Sequence, residues 1–124
     1  MSLDPNVDLD INIHELEEEF RTLPRLLFQY SKEYSEAEKE ASIKKQQIQE
    51  VKSVIIQEIL AQEEKKPTDK VMESKVHLHP TFKRAVQEHS IAESEARTLK
   101  GACQGLAAKK DMLIQLGANA RKEY

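Results

Sequence analysis

Four histidines, one cysteine and many interleaved carboxylates and lysines are the side chains of this sequence that could do chemistry. His77-Leu78-His79, with His89 ten residues on, has the ingredients of a metal site. An i, i+2 pair does not share a helix face, and no cysteine or acid completes a ligand set, so no metal site is expected. His79 is better suited to capping the helix that follows it, and His89 to a polar place on a helical seam. The 22 acids alternate with 19 lysines and arginines in the manner of solvated helix faces. Paired-carboxylate catalysis would need a cleft, and the chain has little mass to build one. There is no phosphate-binding loop, no GxSxG and no HExxH. Neither catalytic residues nor a cofactor are expected, and the chain is read as not an enzyme. Cys103 is expected to serve as a small buried hydrophobe in a reducing compartment.

Lys44-Lys45, Lys52, Lys65-Lys66 and Lys70 have two readings. They could form a phosphate-binding track along one helix and its turn. They could equally be the solvated side of a helix laced with i, i+4 pairs such as Glu40 with Lys44, which composition alone favours. Tyr30 and Tyr34 could stack on bases, but their seam positions favour core packing.

Helices must position all of these groups. The clearest seam runs through Ala85, Ala92, Leu99, Leu106, Leu113 and Ala120, one residue per heptad. Its companion line holds Phe82, His89, Ala96, Cys103, Lys110 and Gly117. So narrow a stripe needs a partner helix from this chain, from another copy, or from both. Gly101 and Gly105 lower the helix surface between seam residues. Each glycine costs about 1 kcal/mol relative to alanine in a helix interior, which implies tight packing or a kink. Leu99, Cys103, Leu106 and Leu113, with Gly101 and Gly105, are therefore the candidate oligomer seam.

In chain order, residues 1–12 read as an acidic, flexible lead-in and residues 13–124 as a single helical domain. Asn12, with Glu15 three residues later, has capping-box spacing for a short helix over 13–23, which Pro24 should end or kink. Residues 25–64 contain no glycine or proline and predict a long helix, roughly 60 Å at about 1.5 Å per residue. Its seam includes Leu27, Tyr30, Tyr34, Ala37, Ala41, Ile48, Val51 and Ile55, and Val54, Ile56, Ile59 and Leu60 widen its apolar face. Lys65-Lys66-Pro67 breaks the chain, and Thr68 caps a short helix over 69–76. Pro80 opens a last helix over 80–116, with Gly117 as its cap and 117–124 as a basic tail, the alternative being that the helix continues past Gly117. The expected fold is all-α: a long antiparallel helical hairpin with short flanking helices, oligomerising through coiled-coil-like seams.

Charge is unevenly distributed. Residues 1–24 carry seven acids against one base, residues 25–80 balance, and residues 81–124 carry eight bases against five acids. With 39% apolar residues, 33% charged and no tryptophan, the chain suits extended helices rather than a thick core. No apolar run approaches the roughly 18 residues of a membrane span, and the acidic start is unlike a secretory signal. A cytoplasmic, membrane-free location is expected.

Tyr30-Ser31-Lys32 and Ser42-Ile43-Lys44-Lys45 resemble the UvsY-type recombination mediators of T-even and related phages. The second half adds to the resemblance. Lys66-Pro67-Thr68-Asp69 leads through His79-Pro80 to Lys109-Lys110-Asp111-Met112-Leu113-Ile114-Gln115-Leu116-Gly117-Ala118, and then Arg121-Lys122-Glu123. The similarity spans roughly residues 26–123. It implies a helical, ring-forming homo-oligomer that binds single-stranded DNA, helps displace the single-strand-binding protein and loads a RecA-type recombinase. It also implies a host-cell cytoplasm, for a phage-encoded chain. One departure stands out. The family's type member has a Lys-x-Arg element late in the first long helix, associated with DNA binding, where this chain reads Val54-Ile55-Ile56-Gln57-Glu58-Ile59. By proximity alone, the candidate nucleic-acid-binding residues are Lys44, Lys45, Lys52, Lys65 and Lys66. The alternative is a protein-only helical scaffold or chaperone that binds partner helices.

Overall fold

The computed structural model describes residues 3–122. Met1 and Ser2 of the expected lead-in, and Glu123 and Tyr124 of the expected tail, lie outside the described residues. Helices account for 87% of the described residues, with no strand among them. They are α1 (Pro5–Asp8), α2 (Leu16–Gln62), α3 (Asp69–Leu78) and α4 (Pro80–Lys122). The long helices α2 and α4 pack against each other, giving the expected all-α helical hairpin.

Local chemistry explains most of the element ends. The Thr68 hydroxyl accepts from the Val71 amide at 3.3 Å, capping α3. His79 closes α3, its amide donating to the Val76 carbonyl, and its Nδ1 accepts from the Thr81 amide at 3.2 Å at the start of α4. Pro80 occupies the first position of α4, where its missing N–H removes no helical bond.

Two helix ends shift by two residues, α2 stopping at Gln62 rather than 64 and α3 at Leu78 rather than 76. Four larger differences from expectation stand beside them. The lead-in is not featureless: Asp4 accepts from the Asn6 amide at 3.1 Å and starts the single turn of α1. Leu3 and Ile11 then pack against a buried cluster, so this segment is held by the core. Asn12 does not cap a helix at residue 13; its side chain accepts from His14 N at 3.0 Å in a local turn, and α2 begins at Leu16. Pro24 breaks nothing. It lies inside α2, flanked by buried Leu23 and by Leu26 and Leu27, which anchor both sides of the missing hydrogen bond in one core. Gly117 does not end α4, because no described residue has the positive φ of a glycine cap, and the helix runs on to Lys122.

The chain divides into two compact units, Met1–Glu36 with Ala96–Tyr124, and Ala37–Glu95. In the first, Leu23 and Tyr30 of α2 bury against Ala102, Leu106 and Leu113 of α4. In the second, Ile55 of α2, Val76 of α3 and Phe82 of α4 form the core, with Ile48, Val51, Ile56 and Ile59 packed around them. Within each unit early residues of one long helix meet late residues of the other, the signature of an antiparallel pair.

Candidate nucleic-acid interface

The five candidate lysines all belong to the unit Ala37–Glu95, but their surroundings differ. Lys44 is half-buried, and its ammonium lies 3.4 Å from Glu88 of α4 and 3.9 Å from Glu40 one turn back. That lysine joins α2 to α4, which explains a base on the apolar seam. Lys52 is also half-buried, in a shallow depression with Ile56, Met72 and Val76 that Asp69 and Glu73 share. Lys45 is exposed beside Lys39, Ser42, Gln46 and Gln49 along an open strip of α2. Lys65 and Lys66 are exposed in the link between α2 and α3. No carboxylate pairs with Lys45, Lys65 or Lys66 among the described residues, whereas Lys75 is bound to Glu63. The expected track therefore separates into three exposed cations, a half-buried Lys52 and a Lys44 that the fold itself uses.

The seam residues lie in the other unit. Leu106 and Leu113 are fully buried, and Leu99 and Cys103 are packed against their cluster. Their partners are Leu23 and Tyr30 of the same chain, so this seam is filled within the hairpin. Gly101 faces open space, with nothing within 4 Å of a Cβ added there. Gly105 lies under a side chain rather than a helix backbone: an added Cβ would come 2.7 Å from Leu9 Cδ2.

Beyond Leu99 the buried flank of α4 changes side. Ala102 and Lys109 are buried, while Cys103 is half-buried and Lys110 exposed. The N-terminal segment covers that flank and creates a constellation that heptad spacing did not reveal. The Lys109 ammonium donates to the Asp8 carbonyl at 2.7 Å and lies 3.0 Å from the Glu19 carboxylate. The buried Tyr30 hydroxyl donates to Asp8 Oδ2 at 2.6 Å. Burial, then the hydrogen bond and charge of Asp8, push the Tyr30 phenol well above its ordinary pKa. The available signal was positional: Lys109 lies three residues after Leu106 and four before Leu113, on the inward face.

The histidines stay apart from any cage. His77 lies against the Phe82 ring and 3.8 Å from Glu73, and His89 lies 3.4 Å from Glu93. No group of three or more His, Cys, Asp or Glu able to hold a metal ion occurs among the described residues. No helix among them is long and apolar enough to cross a membrane. No family model, curated protein or solved structure matches the chain.

Proposed function

We propose that this chain is a non-enzymatic single-stranded-DNA-binding recombination mediator, working as a homo-oligomer that helps load a RecA-type recombinase in competition with a single-strand-binding protein. Support comes from the resemblance of residues 26–123 to UvsY-type mediators, and one structural observation carries the binding step: Lys45, Lys65 and Lys66 are exposed and unpaired on one unit. Open ammonium groups on a helix and its adjoining link contact phosphates without reading bases. In an oligomer each copy presents the same three cations, so weak single-site contacts multiply along one strand.

The test is a salt titration of single-stranded DNA binding. Each phosphate neutralised on a single strand adds about −0.7 to the slope of log K against log salt. Changing Lys45, Lys65 and Lys66 together to alanine should weaken binding to every oligonucleotide alike and flatten the slope by about 2. Unchanged affinity and slope would remove these lysines from the interface. A wild-type chain that binds no single strand even at low salt would leave the scaffold reading. That second reading is favoured by the exposure of Phe28, Leu78 and Ile91, large apolar side chains open to a partner helix.

A further inference from the structure

The N-terminal segment has a chemical character that the reading above does not use. Residues 1–24 carry seven acids against one base, and Asp8 and Leu9 of this segment contact Lys109 and Gly105 of α4. Asp8 receives two hydrogen bonds from two different helices, Tyr30 of α2 donating to its carboxylate and Lys109 of α4 donating to its carbonyl. The next residue, Leu9, lies directly over Gly105. One ammonium contact is also made to Glu19, which leaves Lys109 one further N–H donor for another acceptor.

Such an arrangement is a poor way to build a core. Apolar residues at positions 30 and 109 would fill the same space without desolvating an ammonium and a phenol. It is a good way to hold an exchangeable pair of acceptors, since Tyr30 grips the Asp8 carboxylate and Lys109 the Asp8 carbonyl. A phenol and an ammonium converge on one acidic residue, and an apolar group rests beside it on a glycine. A nucleotide has the same parts in the same order: phosphate oxygens that accept from both donors, then a flat base that can lie on the bare helix surface at Gly105. We propose that residues 3–11 are an internal stand-in for a single-stranded polynucleotide, masking a second binding site formed by Tyr30, Lys109 and Gly105. The ligand class rests on the single-strand reading above; the mask itself rests on the contacts of Asp8 and Leu9. The link between mask and α2 is suited to opening, since Asn12, Ile13, His14 and Glu15 are all exposed.

A masked site binds with an apparent affinity reduced by the fraction of open chains. Two full-length variants open it by different routes. Leu9→Ser removes the apolar group that rests on Gly105 and leaves Tyr30, Lys109 and Gly105 intact. Asp8→Ala removes the carboxylate that Tyr30 holds without adding bulk and leaves Lys109 its contact to the backbone carbonyl. Amide exchange over residues 3–11 reports displacement, and a labelled oligothymidylate at low salt reports binding. The expected result is faster exchange with affinity raised on the order of tenfold. The salt slope should steepen by about 0.7 for each phosphate gained. Adding Lys109→Gln to Leu9→Ser should abolish the gain. Faster exchange without gain, or a gain that survives Lys109→Gln, overturns the mask while wild-type binding through Lys45, Lys65 and Lys66 stands. Exchange unaltered in both variants also overturns it, because Asp8 and Leu9 would not then be holding the segment. If no chain binds the oligonucleotide although the segment is displaced, the mask and the single-strand reading fall together.

Discussion

Lys109 carries its charge between two fully buried leucines, Leu106 and Leu113, and is itself only 4% exposed. An ammonium there is tolerable because Asp8 and Glu19 both face it. The sequence hid this, since both partners are distant in the chain and strict heptad spacing points to Lys110 instead. Lys109→Met keeps the volume and removes the charge, leaving a carbonyl and a largely buried carboxylate unpaired. Denaturant unfolding should show a loss of about 1–3 kcal/mol, with part recovered when Glu19→Gln is added. A more stable Lys109→Met would mean that desolvating the pair costs more than its contacts return. Tyr30 makes a pH-dependent contribution at the same place. Its phenol is raised by burial and then by Asp8, so the folded state holds the proton more tightly than the unfolded state. That stability is complete below the unfolded value of about 10 and fades as pH rises towards the folded value. Tyr30→Phe should flatten the fall in stability above about pH 10 relative to wild type. An alkaline profile identical to that of wild type would locate the loss in other groups.

At the scale of elements, boundaries set by local chemistry were legible. Thr68, Pro67 and Pro80 act through their own backbone neighbours, which sequence spacing shows directly. Those set by distant contacts were not. Pro24 stays inside α2 because buried Leu23 before it and half-buried Leu26 and Leu27 after it join the same core, and α1 forms where Leu3 and Ile11 reach that core. The glycines divide the same way. Spacing marked Gly101 and Gly105 together as places of close helix approach, whereas only Gly105 has a neighbour, and that neighbour is Leu9. Gly101→Ala should therefore stabilise the protein by about 1 kcal/mol in thermal or denaturant unfolding. Gly105→Ala should gain less, because its methyl would come within 2.7 Å of Leu9 Cδ2. Equal gains would show that Leu9 swings aside at no cost.

At the scale of the whole molecule, the hairpin was legible because two long runs of helix formers are separated by proline-marked breaks. What the stripes could not say was how much of their apolar surface the chain covers by itself. The candidate seam is filled internally, so the proposed homo-oligomer would have to use other residues, and Phe28 and Ile91 are exposed by 69% and 61%. This changes what each substitution tests. Leu106→Asp puts an unpaired charge into a fully buried position and should unfold the helices, abolishing the far-ultraviolet helical signal rather than dissociating a folded chain. Phe28→Glu and Ile91→Glu alter only exposed faces, so the helical signal should survive while the assembly shrinks. Light scattering at micromolar concentration should give a mass several times 14.2 kDa for the wild type and a lower mass for the double variant. A wild-type mass of one chain would remove the proposed ring, and with it the avidity by which three exposed lysines per copy would hold a strand. An unchanged assembly in the double variant would move the contact to other exposed apolar residues, of which Met112 and Ile114 on α4 are the next to replace.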